Sequence, residues 1–272
     1  MLAAVAAFIG MMLSIRDLSG TLSVSQILLM RCVVGLPLLL VLIPALYGPS
    51  GFVRIRTANL KLQLFRNLMH FIGQMCWIFG IAVLPLATIL AIEYSTPLWA
   101  VLFGALVLAE YPSRAQKIAL AVGFCAVLAI VRPGIGDISV EMLIVVAGAA
   151  SYAAAHMTTR VLGRTDDSLA VVFWMNLLQM PFALGWAVFD WNPIPDAAWP
   201  MILLMGASGV LAHQFMSKSL AMAPLSVVMP IDYLRLPLVA AVGTLFYGEP
   251  LDPVIIGSAI VLIGAVLLAQ RR

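Results

Sequence analysis

Apolar runs follow one another along nearly the whole chain, each about as long as a helix needs to cross a hydrocarbon core of about 30 Å. They are continuous rather than alternating, which predicts helices and not half-buried strands. Ten spans are expected: 2–18, 25–46, 65–84, 86–109, 114–131, 140–160, 168–188, 198–222, 224–247 and 252–269. Between them lie breaker clusters such as "YGPSG" (47–51), "YPS" (111–113), "RPGIGD" (132–137) and "DWNPIPD" (190–196). Pro85 and Pro224 mark the tightest connections. The opening "MLAAVAAFIGMMLS" has no basic leader region and reads as a first membrane helix, not a cleaved signal.

Composition agrees with this pattern. Of the 272 residues, 63% are hydrophobic and 10% charged, far below the roughly quarter of charged residues a soluble domain carries. A lipid bilayer is therefore an expected partner. Spanning segments must be helices or closed barrels, because lipid satisfies no backbone hydrogen bonds. Positive charge sets the direction. With the N-terminus cytoplasmic, Arg54, Arg56, Lys61, Arg66, Arg114, Lys117, Arg160, Arg164, Arg271 and Arg272 fall on the inner side, and only Arg16 and Arg132 on the outer. Both termini are expected in the cytoplasm. No basic tract is long enough to hold nucleic acid. Cys32, Cys76 and Cys125 sit inside apolar runs without CxxC spacing, so neither a disulfide framework nor a zinc site is indicated.

The sequence also repeats. Shifted by 139 residues, 85–111 lies over 224–250 without a gap, so that Pro85 meets Pro224, Glu93 meets Asp232, Tyr94 meets Tyr233, Gly104 meets Gly243 and Glu110 meets Glu249. Apolar bias aligns leucines; it does not align acids and a tyrosine at one depth. The chain is expected to hold two five-helix repeats, 2–131 and 140–270. Five being odd, the second enters the membrane from the opposite side. Inverted repeats of this kind bind substrate near the midplane, at the repeat interface, and work by alternating access. The expected fold class is an all-α membrane protein of ten transmembrane helices in two inverted repeats.

The repeated "PLA…E/DY…P…GE" pattern, with "RCVVGLPLLL" (31–40) and "GSAIVLIGAVLLA" (257–269), resembles the EamA family of the drug/metabolite transporter superfamily along essentially the whole chain. The resemblance implies a multi-pass protein of the bacterial inner membrane that transports a small-molecule metabolite, and no cofactor. "DYLRLPLVAAVGTLFYGE" (232–249) is most like bacterial members labelled as S-adenosylmethionine or riboflavin transporters.

Candidate site residues are the polar groups at depth. Asp232 and Arg235 lie well inside the ninth span, where a charge costs roughly 2.5–3.5 kcal/mol. Their spacing allows them to pair along one helix face. They either lock that helix or line a cavity. Glu93 has Thr96 where its repeat partner has Arg235, so it is expected to be a lone carboxyl with no cation on its own helix. It is then either suited to carrying a proton or meeting a cationic substrate group, or neutral and hydrogen-bonded to a neighbouring helix. Arg31 either snorkels to the outer interface or docks a carboxylate or phosphate. His70, His156 and His213 have no metal-ligand spacing; His70 and His213 occupy comparable helices of the two repeats. Trp77, Tyr94, Tyr152, Trp174 and Tyr233 are candidates for stacking, with Tyr94 and Tyr233 foremost. Pro97, Pro230 and Pro237 interrupt helices beside the acids. Glu110 and Glu249 close their helices as structural or gating residues.

These features predict a secondary transporter for a polar or zwitterionic metabolite, with protons as the coupling ion, functioning as a monomer or a homodimer. The rival is an efflux pump for lipophilic cations exchanging at Glu93. An enzyme would need a clustered catalytic constellation, and none is found. ATP hydrolysis is not expected, for want of a GxxxxGK[ST] loop.

Overall fold

A computed structural model describes residues 1–107, 113–131, 139–222, 235–250 and 252–270. Its α-helices are α1 (Leu2–Leu18), α2 (Val24–Tyr47), α3 (Leu60–Val83), α4 (Leu86–Glu93), α5 (Thr96–Val107), α6 (Arg114–Val131), α7 (Val140–Leu162), α8 (Ser168–Ala187), α9 (Trp199–Met222), α10 (Arg235–Tyr247) and α11 (Pro253–Gln270), with 3₁₀ turns at Pro49–Ile55 and Asp196–Ala198. No strand occurs among the described residues, so the protein is all-helical as expected. Three described helices combine the length and apolarity needed to cross a membrane, at Val24–Tyr47, Val140–Thr159 and Ser168–Ala187.

The expected span 86–109 is two helices with a turn at Tyr94–Ser95. The reason is local. Pro97 has no N–H to give the carbonyl of Glu93, and Thr96 Oγ1 donates to that carbonyl instead at 2.6 Å. Ser95 Oγ donates likewise to the carbonyl of Ile92, also at 2.6 Å. The Thr96 hydroxyl thus stands in for the missing backbone donor at Glu93, and the Ser95 hydroxyl adds a second bond at the Ile92 carbonyl.

The chain packs as two compact units, Met1–Phe71 with Met157–Val228, and Ile72–His156 with Met229–Arg272. In the first unit α1 lies along α9, and α2 packs on α8 and α9. Leu39, Ile43, Leu169, Val172, Met175 and Val210 form an apolar core there. Both ends of the α2–α8 pair are tied. At one end a capping box at Ser23 starts α2, Gln26 Nε2 donates to the carbonyl of Asn192 at 2.6 Å and Ser25 Oγ donates to Asp190. At the other end Asp167 caps α8 by accepting from Leu169 N at 2.9 Å and pairs with Arg54 at 2.9 Å. Trp174 Nε1 donates to the Ile55 carbonyl at 2.9 Å.

Asp166 is the hub of that second end. Only 8% exposed, its carboxylate accepts from Thr57 Oγ1 (2.6 Å), Ala58 N (3.1 Å), Gln63 Nε2 (2.9 Å) and Thr165 Oγ1 (3.0 Å). Burial by itself would raise its pKa, but the donors from Thr57, Ala58, Gln63 and Thr165 together outweigh burial and hold the carboxyl below its ordinary value.

In the second unit α4 packs on α10 and α11, α6 lies along α11, and α5 touches α6. The α3 and α7 segments of this unit meet closely at glycines. A Cβ on Gly73 would lie 2.9 Å from the Tyr152 ring, and one on Gly148 would lie 2.6 Å from Cys76 Cβ. Small residues at these positions permit the near approach on which helix packing in lipid depends.

Asp166→Asn keeps the shape of the hub and removes its charge. It is expected to lower stability by about 1–3 kcal/mol at neutral pH, as loss of charge-assisted hydrogen bonds does. Because the folded-state pKa is depressed, this contribution is present above the unfolded value of about 4 and is lost as pH falls through the folded pKa. Thermal unfolding in detergent checks both parts: the gap between wild type and variant is wide at pH 7 and closes on acidification.

Candidate functional site

The predicted site residues fall into two polar clusters, one in each unit. In the second unit, Glu93 ends α4 at the break described above. Its carboxylate accepts from Trp77 Nε1 of α3 at 3.0 Å through Oε2, and from Arg235 Nη2 at 3.3 Å through Oε1. The side chains of Arg235 and Glu93 are 6% and 20% exposed. Glu93 has no cation on its own helix, as expected, but it is not a lone carboxyl: Arg235, 142 positions along the chain, pairs with it. The expected pairing of Arg235 with Asp232 involves a residue outside the described ones, as does Tyr233; the cation of that helix reaches Glu93. A narrow niche lined by Trp77, Glu93, Val145, Gly148, Ala149 and Tyr152 opens beside the carboxylate, with no room for a water molecule in this conformation. Tyr94 is buried at the C-terminal end of α4, directly after Glu93. Tyr152, expected as one stacking candidate among several, is the aromatic that shares the niche.

The first unit holds Arg31, His70 and His213. Arg31 is 1% exposed, which overturns the expectation that it snorkels to the interface. Its Nη2 donates to Gln179 Oε1 at 2.6 Å. The same amide, through Nε2, meets His70 Nδ1 at 3.0 Å and the carbonyl of Asn67 at 3.3 Å. Since Arg31 can only donate, Gln179 presents its oxygen there and its NH₂ to His70. His70 Nδ1 is then an acceptor, and the ring is neutral with its proton on Nε2. Beyond it the His70 and His213 rings stand edge to face at 5.3 Å, and Phe8 meets His213 in the same way at 5.4 Å.

Sequence reasoning missed Gln179, Asn67 and the shape of this chain of contacts. A signal was present. Gln63, Asn67, His70 and Gln74 recur at helical spacing on one face of α3 and are all buried. Asn176 and Gln179 do the same on α8. A stripe of amides through an apolar helix marks a face that turns away from lipid, since each amide must find partners inside the protein. His156 has its ring 6.3 Å from that of Tyr152, the aromatic of the Glu93 niche. No group of three or more His, Cys, Asp or Glu able to hold a metal occurs among the described residues.

Long apolar helices, a broken one among them, with charges and amides buried between them, are the features of a multi-pass membrane protein. The chain belongs to the EamA-like transporter family, whose profile matches residues 1–132 and 139–270. It is 28% identical over 219 residues to the riboflavin transporter of Vibrio cholerae serotype O1, covering 79% of this chain and 74% of that protein. It is 21% identical to the S-adenosylmethionine uptake transporter of Rickettsia prowazekii, covering 81% and 74%. To the pseudopaline exporter CntI of Pseudomonas aeruginosa strain UCBPP-PA14 it is 25% identical, covering 94% and 89%. A solved structure described as "Crystal structure of protein" matches with a TM-score of 0.67 over 99% of this chain and 95% of the other, at 15% identity, a likeness of fold alone.

The Glu93–Arg235 pair gives a double-mutant cycle. Removing either partner breaks the ion pair and is expected to lower stability, and Glu93→Ala with Arg235→Ala together to cost less than the two single changes summed. Thermal unfolding of the four proteins measures the coupling.

Proposed function

We propose that this protein is a secondary transporter that moves a small zwitterionic, or comparably polar, metabolite across the bacterial inner membrane by alternating access. The observation that carries the reading is the buried Glu93–Arg235 pair beside Trp77, at the end of a discontinuous helix. A ligand with a donor or cationic group and an acceptor or anionic group takes both partners at once. A purely cationic ligand at Glu93 would break the Glu93–Arg235 contact and offer Arg235 nothing in exchange, and an anionic one at Arg235 would do the reverse. The same argument disfavours an exporter of lipophilic cations. Trp77 and Tyr152 beside the carboxylate suit a ligand with a flat ring. The named substrates of its relatives, riboflavin and S-adenosylmethionine, belong in the first test panel.

Proton uptake at Glu93 would release Arg235 in the same way as a substrate, which makes Glu93 the proposed coupling site. Two inverted repeats, 2–131 and 140–270, remain the proposed architecture, supported by the gapless match of 85–111 with 224–250. Cytoplasmic termini follow from the distribution of Arg and Lys. The 3₁₀ turn before α3 and the α7–α8 connection, both carrying inner-side arginines, lie at one end of the first unit, joined by Arg54–Asp167 and by Asp166. That common end supports the assignment.

Counterflow in proteoliposomes is the test, with riboflavin, S-adenosylmethionine, amino acids and tetraphenylphosphonium, run with and without a pH gradient. Exchange of a polar compound is expected, reduced tenfold or more by either Glu93→Gln or Arg235→Gln, as loss of about 1.4 kcal/mol or more requires. Exchange of tetraphenylphosphonium alone, undiminished by Arg235→Gln, would instead establish a cation exporter.

A further inference from the structure

Glu93 can meet a ligand in a fixed place only if α4 is itself fixed, and α4 is short. Its eight residues, Leu86–Glu93, make a rod about 12 Å long. Such a helix has few internal hydrogen bonds, and its first N–H groups have no partners within it. One of these donors has an external partner: Leu86 N donates to Glu249 Oε2 at 2.8 Å.

Three features of the sequence put that carboxylate there. α10 ends at Tyr247 and Gly248 follows with φ of 63°, the left-handed conformation that glycine adopts readily. The turn lets Glu249 N donate back to the carbonyl of Gly243 at 3.0 Å, which closes the end of α10. Gly243 then leaves room for the side chain: a Cβ at that position would lie 2.6 Å from Glu249 Oε2. The carboxylate is thereby aimed at the N-terminus of α4, where its charge also meets the positive end of the helix dipole. The spacing Gly243 to Glu249 recurs in the sequence as Gly104 to Glu110.

At the opposite end of the same helix pair, Arg235 of α10 holds Glu93 of α4. The two helices run antiparallel, and each end of the short one is held by a charged side chain from the long one's segment.

We propose that Glu249 is a positioning residue of the transport site. Its carboxylate seats α4 on α10, and so holds Glu93 against Trp77 and Arg235. Release of either latch frees the half-helix to move. The importance of this for transport rests on the reading of Glu93 as a ligand contact; the placement of Glu93 by Glu249 is tested without a ligand.

Trp77 is the reporter, because its indole N–H bonds to Glu93. With Trp99, Trp174, Trp186, Trp191 and Trp199 replaced by Phe, Trp77 is the single tryptophan of the chain. Its emission maximum and its quenching by acrylamide are read in detergent. Glu93→Ala sets the signal of a lost bond. Glu249→Ala is expected to move both readings in that same direction, and Glu249→Gln, which keeps an acceptor for Leu86 N, to restore most of the parent signal. If Glu249→Ala elutes as aggregate, Gly243→Ala, which pushes the carboxylate from its seat, takes its place with the same expectation. Parent-like emission and quenching in the folded Glu249→Ala or Gly243→Ala protein, while Glu93→Ala shifts both, overturns the proposal. Failure of every compound in the counterflow panel leaves this result standing and counts against the transport reading alone.

Discussion

Hydrocarbon offers no hydrogen bonds, and that lack bears on how the polar groups at the ends and breaks of the described helices are met. In water an unpaired carbonyl or guanidinium turns to solvent. In an apolar helical bundle it must be met by another part of the chain, or the segment that carries it does not stay in place. The break at Tyr94–Ser95 shows the rule on the smallest scale. Pro97 takes away a donor to the Glu93 carbonyl, and the Thr96 hydroxyl replaces it. Glu249 shows it on a larger one, reaching from the end of α10 to a single amide of α4.

The two units meet this constraint differently. The first is braced. Its α2–α8 pair is tied at one end by Gln26 and Ser25 and at the other by Asp166, Asp167 and Trp174, and its interior holds a continuous chain of contacts from Arg31 through Gln179 and His70 to His213. The directionality of that chain leaves His70 neutral. In the second unit two carboxylates, Glu93 and Glu249, hold the two ends of the short helix α4, each with its own partner. On the proposed reading a ligand or a proton taken by Glu93 changes its bonding directly.

The residues proposed for transport are also those least compatible with lipid, so much of the candidate site could be read from the chain. Glu93, Arg235, Arg31 and His70 stand out in apolar runs, and all four are buried or half-buried in the structure. What went unread was partnership. Nothing in the spacing of Glu93 points to Arg235 as its cation, because the two are brought together by helices far apart in sequence. Gln179 and Asn67 were missed for a related reason: a single amide carries no charge and attracts notice only when its neighbours a turn away are amides as well. Tyr152 was one aromatic among several until the close approach of α3 and α7 at Gly73 and Gly148 placed it beside Trp77 and Glu93.

The sequence by itself determined the solvent, the helical class and the depth of the polar groups, because these depend on the length and apolarity of local runs and on the expense of burying charge. It also carried the internal repeat, which is a matter of order along the chain. Only the tertiary structure decided which acid meets which base, which helix is broken into two, and which carboxylate caps which helix. Those are contacts between segments that share no local pattern, and their energies exist only once packing has excluded lipid and brought the partners within reach.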